Sequence, residues 1–291
     1  MSSASVIHRI KEFDQKVLDK KLFLGIYPIV FIIGLSIRVL LSDELLSKLR
    51  SSYWVSENNI FNYVFANHGI KVFTTLFIIL FISKITLSEL KTYRSPSLLP
   101  SGIETSNDFR TRRLITRNFK TSIGHGIRYG IIYFGLIALF TLKNYGSTST
   151  GGECKPIDLK RSLIITSCSS DEKWVPGTLN ISGHYLFIVT LSLSLIFELK
   201  LLLDYNIDWI EQTIDEEDDG LGFSTELKAS IHIIGWCSII TLLTILAWVG
   251  VLSVTAIFYH TLIEKIIGLT LGYVIPVINY IFIVKFFESY V

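Results

Sequence analysis

Long apolar runs separated by polar stretches set the pattern of this chain. A hydrocarbon core about 30 Å thick is crossed by about 20 apolar residues of helix. Runs at 22–41, 72–90, 185–203, 231–259 and 262–287 meet or approach that length. A further run, IRYGIIYFGLIALFTL, is short for a crossing but becomes adequate when the residues just before it join, giving a span at 125–142. The pattern predicts an all-α, polytopic integral membrane protein with about six transmembrane helices, a single membrane domain over 1–291 and both termini on one side. Residues 59–66 are apolar but too few to cross, and are expected along the interface. The run at 231–259 would extend about 43 Å as a helix, more than one crossing needs, so it must tilt, bend or protrude.

Composition narrows the function classes. Half of the 291 residues are apolar and the mean hydropathy is +0.50, unlike a soluble domain. A net charge of +2, with no basic tract interleaved with aromatics, gives no reason to expect a nucleic-acid partner. No Cys/His spacing or carboxylate cage suits a metal, and no cofactor is expected. Residues 1–21 are polar, and the apolar run after them lacks a small-residue cleavage site, so it reads as a retained span rather than a signal peptide.

Lysine and arginine set the expected orientation. Arg9, Lys11, Lys16, Lys20 and Lys21 precede the first span, and Lys91, Arg94, Arg110, Arg112, Arg113, Arg117 and Lys120 lie between the second and third. The first-to-second loop has only Lys48 and Arg50, with Lys71 at its edge. The positive-inside rule then places both termini in the cytosol. The loop 143–182 becomes lumenal despite its five basic residues, because long loops weigh less in that rule. In an oxidising lumen Cys154 and Cys168 of that loop are a candidate disulfide, while Cys237 reads as a small buried hydrophobe. Asn180-Ile181-Ser182 is a formal glycosylation acceptor, expected to be unmodified because it abuts the bilayer. Residues 204–228, with DEEDDG at 215–220, read as an acidic cytosolic loop.

Two histidines stand out on this topology. His184 opens the fourth span and His260 closes the fifth, so one intervening cytosolic loop returns both to the lumenal face. By itself NISGHY (180–185) is a helix cap at the interface, with Ser182 capping, Gly183 turning and His184 among headgroups. His260 and Glu264 stand four apart, which predicts one face of a helix. The carboxylate can hold one imidazole nitrogen and leave the other as nucleophile or base. Ser182 and Gly183 at a helix start favour an anion. These residues suit a phosphate ester or anhydride at the bilayer surface: His260 attacks phosphorus, Glu264 orients it and His184 protonates the departing oxygen. His8, His68, His125 and His232 are not expected to take part.

TGGEC (150–154), ISGH (181–184) and TAIFYHTLIEKIIG (255–268) resemble the fat-storage-inducing transmembrane (FIT) proteins, specifically the smaller fungal branch, over about residues 20–285. The motifs are also similar to those of the membrane lipid phosphate phosphatases. Ser253 lies seven before His260 as in that pattern, Glu264 replaces the aspartate, Val254 replaces the phosphate-clamping arginine, and the basic first motif is missing. Phosphate grip is therefore sought elsewhere, with Lys265 the nearest candidate and Ser253, Ser182 and Gly183 beside it. The resemblance implies a fatty acyl-CoA diphosphatase of the endoplasmic-reticulum membrane, linked to lipid-droplet formation, phospholipid balance and ER structure. Its products would be acyl 4′-phosphopantetheine and adenosine 3′,5′-bisphosphate. Two alternatives stay open: a lipid-phosphate phosphatase, and a non-enzymatic protein that binds membrane lipids such as diacylglycerol or triacylglycerol.

Overall fold

The computed structural model describes residues 3–56, 59–94, 107–151, 153–156, 172–175, 179–217 and 224–284. Among the described residues eight α-helices form in chain order: α1 (Ser3–Phe13), α2 (Ile26–Leu40), α3 (Asp43–Arg50), α4 (Gly69–Arg94), α5 (Asn107–Ser149), α6 (Gly183–Glu217), α7 (Thr225–Phe258) and α8 (Leu262–Val277). Six helical segments are long and apolar enough to cross a membrane, as the apolar runs predict. A short antiparallel hairpin, β1 (Glu153–Pro156) with β2 (Glu172–Val175), interrupts the otherwise helical architecture. It carries Cys154; Cys168 lies outside the described residues, and with it the expected bridge.

Helix α6 is the axis of the bundle, packing most extensively against α8 and then α7. In its apolar stretch 83% of residues are buried, so it is hydrophobic on all sides. Its hydroxyl residues are reconciled with the dry interior by back-bonding: Thr190 Oγ1 donates to the Leu186 carbonyl at 2.7 Å and Ser194 Oγ to that of Thr190 at 2.7 Å. Thr190 also donates to the Gly272 carbonyl of α8 at 3.0 Å, a bond between spans. Large apolar side chains of α2 and α7, including Ile32, Leu40, Leu243 and Leu246, are exposed on the outer surface, where lipid would cover them.

Helix backbones approach closely where glycines permit it. A Cβ on Gly268 of α8 would lie 2.6 Å from the Ser182 carbonyl oxygen, and one on Gly272 would lie 2.8 Å from Val189 Cβ. This Gly-x3-Gly face seats α8 against the start of α6, the small-residue contact on which membrane helices rely. Gly34 plays the same part between α2 and α7, since its Cβ would lie 2.3 Å from that of Ala256.

At the end of the bundle away from His184, ion pairs join the elements. Arg128 of α5 reaches Glu198 of α6 at 2.5 Å, His125 Nδ1 lies 3.3 Å from the same carboxylate, and Tyr280 donates to it at 2.8 Å. Charges this deep persist because each is paired and hydrogen-bonded. Asp14, Asp19 and Asp204 converge nearby around the Lys200 ammonium, which lies 2.6 Å from Asp19 and 2.7 Å from Asp204. An ammonium bonded within the cluster explains the grouping as a salt-bridge hub.

The apolar runs mark the spans but not the helix ends. Residues 1–21 do not form a simple tail, because α1 and its continuation bury Ile7 and Leu18 against the bundle. The stretch 204–228 is largely helical, since α6 runs through Glu217 and α7 begins at Thr225 behind a Ser224 cap. Likewise α5 continues to Ser149, beyond the predicted end of the third span. A helix outlasts its apolar stretch because polar residues sustain backbone hydrogen bonds equally well in water.

Candidate active site

The site forms where α7 ends. Phe258 is its last helical residue, Tyr259 is extended, His260 adopts φ +60°, and Thr261 caps α8. A left-handed conformation at a non-glycine residue costs on the order of 1–2 kcal/mol, so the surroundings must hold it. Thr261 and Glu264 do so with a reciprocal capping box. Thr261 Oγ1 accepts from the Glu264 N–H, and Glu264 Oε2 accepts from the Thr261 N–H at 2.8 Å. The expectation that His260 and Glu264 share a helix face is therefore corrected. His260 precedes the helix, and the pair meets across the cap with His260 Nδ1 3.5 Å from Glu264 Oε2. That leaves Nε2 as the ring nitrogen for chemistry.

The same carboxylate reaches the other motif. Glu264 Oε1 accepts from the Asn180 N–H at 2.8 Å, and the Glu264 carbonyl accepts from the Ser182 N–H at 3.2 Å. One residue thus ties ISGH to the turn that carries His260, and both histidines line one cavity of about 510 Å³. Ser182 is fully buried, with its hydroxyl unbonded, and Gly183 begins α6 with the Lys143 side chain of α5 alongside.

Trp54, Val55, Ser56, Asn59, Phe61 and Asn62 roof this cavity. Asn59 forms a polar turn, donating to the Trp54 and Ser56 carbonyls and accepting from the Asn62 N–H at 2.7 Å. It thereby presents Asn62, whose Oδ1 lies 3.3 Å from His184 Nε2 and sets the ring's orientation. Trp248 Nε1 donates to the Phe65 carbonyl at 2.8 Å and Tyr259 Oη to that of Val55 at 2.6 Å, so α7 is stitched to the roof.

The first cavity is mostly apolar. Leu243 and Leu246 of α7 line it while 60% and 65% exposed, which opens it toward the lipid-facing side of the bundle. A second cavity of about 620 Å³ also borders His260, and Arg38, Arg50, Lys265, Asn180 and Glu264 are among its lining residues. Tyr259 and His260 are common to both. Burial pushes the His260 imidazole below the ordinary histidine range; Glu264 draws it back up, and Lys143 adds to the depression.

Of the residues singled out from sequence, His184, His260, Glu264, Ser182, Gly183 and Lys265 come together here. Ser253 does not. Its hydroxyl donates to the Val249 carbonyl at 2.8 Å, and it lines neither cavity. The pattern alone did not select Asn62, Lys143, Arg38 or Arg50. Arg38 carried a readable signal, a charge at the end of an apolar span, whereas Asn62 carried none.

Residues 50–280 match the family model described as FIT, fat storage-inducing transmembrane protein. The chain belongs to the FIT family. This FIT protein is also 27% identical over 263 residues to acyl-coenzyme A diphosphatase YFT2 of Saccharomyces cerevisiae, covering 88% of this chain and 89% of that one. No solved structure matches it. The matched region of the FIT protein takes in every residue of the two cavities except Leu35 and Arg38, which lie upstream in α2.

Proposed function

We propose that this FIT protein is a fatty acyl-CoA diphosphatase of the endoplasmic-reticulum membrane. It cleaves acyl-CoA to acyl 4′-phosphopantetheine and adenosine 3′,5′-bisphosphate, and so supports lipid-droplet formation and phospholipid balance. The observation that carries this reading is that His260 lines both an apolar cavity and a cationic one. Acyl-CoA has that same division, with a hydrocarbon tail, an anhydride between and a multiply charged nucleotide. The activity for which the yeast relative is named agrees with it.

In the reaction, His260 Nε2 attacks one anhydride phosphorus. A P–N bond forms as the bridging P–O bond breaks, and His184 gives a proton to the departing oxygen. Water then attacks the phosphorylated imidazole, His184 takes the water proton, and His260 is restored. Glu264 supports the positive charge that develops on the His260 ring. Purified protein given oleoyl-CoA should yield the two stated products by mass spectrometry. Release of free CoA and fatty acid instead would mean thioester hydrolysis and would overturn the reading.

A lipid-phosphate phosphatase is disfavoured by one observation. Val254, at the position of that family's clamping arginine, lines the apolar cavity and offers no grip on a phosphate. A purely lipid-binding role uses the apolar cavity but has no need of a paired histidine site.

Both termini are proposed to be cytosolic and the histidines lumenal, following the basic residues before the first span and between the second and third. Tags at either terminus should accordingly be digested by protease added to sealed microsomes. Protection of the C-terminal tag would reverse the assignment.

A further inference from the structure

Three basic side chains from three different helices converge on the last carbonyls of α7. Lys265 Nζ of α8 donates to the Ala256 carbonyl at 2.6 Å, Arg38 of α2 to that of Ile257 at 3.0 Å, and Arg50 of α3 to that of Phe258 at 2.8 Å. The unsatisfied carbonyls and partial negative charge of a helix C-terminus hold these cations in the absence of any ligand. Among the described residues no carboxylate forms an ion pair with Arg38 or Arg50. Each guanidinium has five N–H donors and spends few of them on a carbonyl. The remainder line a cavity that also contains His260. The cavity's own carboxylate, Glu264, is occupied by the cap and by the Asn180 N–H. The balance of charge in the cavity is positive.

We infer that this cationic cavity is the subsite for the nucleotide half of the substrate, with Arg38 and Arg50 binding its 3′-phosphate. The inference rests on the diphosphatase reading for its substrate. With the acyl chain in the apolar cavity and the reacting phosphorus at His260, the nucleotide extends into the second cavity, where the arginines stand. A planar guanidinium can grip a phosphate through two parallel N–H bonds. Two such groups would distinguish a ribose bearing a phosphate monoester from one bearing a hydroxyl. Arg50 is exposed at the cavity edge and Lys265 is buried in its wall. The arginines therefore meet the ligand, and Lys265 supplies fixed positive charge behind them.

The test compares oleoyl-CoA with oleoyl-3′-dephospho-CoA on wild type, Arg50→Gln, Arg38→Gln and Arg50→Lys. Binding of adenosine 3′,5′-bisphosphate is measured in parallel by equilibrium dialysis. The glutamine variants should lose roughly 10- to 100-fold in kcat/KM on oleoyl-CoA, mainly through KM, and change little on the dephospho substrate. Arg50→Lys should recover part of the loss. Binding of the bisphosphate should weaken in step, while adenosine 5′-monophosphate binds poorly to every form. Equal losses on both substrates would overturn the 3′-phosphate assignment, and so would undiminished bisphosphate binding by both glutamine variants. If wild type turns over neither substrate yet binds the bisphosphate through Arg38 and Arg50, the reaction is wrong and the subsite stands.

Discussion

His260→Ala should abolish acyl-CoA turnover while leaving membrane insertion and expression unchanged. The residue sits in a turn between two helices, and the Thr261–Glu264 capping box that starts α8 does not use its side chain. Alanine enters the left-handed region less readily than histidine, but the Thr261–Glu264 capping box that follows remains to hold the turn. His184→Ala should cost less. General acid catalysis contributes typically 10²–10⁴-fold, and a phosphate leaving group is already a stable anion, so a loss near 10²-fold is expected. If His260→Ala stays active while His184→Ala does not, the two roles are reversed.

The pH profile supplies a second readout. Burial lowers the His260 pKa, so the neutral nucleophile persists below the ordinary value of about 6.5. The acid limb of kcat/KM should accordingly lie below that pH. Glu264→Gln removes the anion that favours the imidazolium, which lowers the pKa further and moves the limb to still more acidic pH. The variant will also be slower for a structural reason. An amide has one acceptor oxygen, whereas the carboxylate accepts from both Thr261 and Asn180. The position of the limb, not its height, is therefore diagnostic. A shift toward neutral pH would contradict the assigned pairing.

Gly268→Ala should damage both the helix packing and the site. The added methyl would lie 2.6 Å from the Ser182 carbonyl oxygen and 3.2 Å from Tyr185 Cβ, so either α8 or the start of α6 must move. Overpacking of this kind costs about 1–3 kcal/mol. The displaced carbonyl accepts the first helical bond of α6, from Leu186, and His184 lies between them. Misplacement of a reacting group by about 1 Å can cost about 10²-fold in rate. Gly235→Ala is the control, because a Cβ there meets nothing within 4 Å. Thermal unfolding in detergent and oleoyl-CoA turnover should fall for Gly268→Ala and hold for Gly235→Ala. Wild-type behaviour of Gly268→Ala would mean that α8 does not bear on ISGH.

The histidine pair was legible because membrane crossings limit where a residue can return. Counting apolar runs was enough to bring 184 and 260 to one face. Helix ends were not legible, since α5 and α6 continue into polar sequence that hydropathy does not see. The His260–Glu264 pairing was read correctly as a contact but for the wrong local reason. Spacing of four describes a helix face, and it also describes a capping glutamate reaching back past its own N-cap. Ser253 was drawn in by spacing borrowed from related phosphatases. Within α7 the hydroxyl is instead satisfied by its own helix. The charge of Arg38 at the end of a span is visible in the sequence, but the partners of Arg38 and Arg50 are not, because they are backbone carbonyls about two hundred positions away.

Glu264 joins three contacts that are often kept apart: it starts a helix, docks a neighbouring segment and meets the His260 ring. On the proposed mechanism, undocking residues 180–182 from Glu264 would part His184 from His260, so the two could not act together. Acyl-CoA is a shared currency of lipid synthesis, and a nascent or damaged copy that hydrolysed it indiscriminately would drain that pool. On that mechanism, docking of the two segments and assembly of the reacting pair are one event.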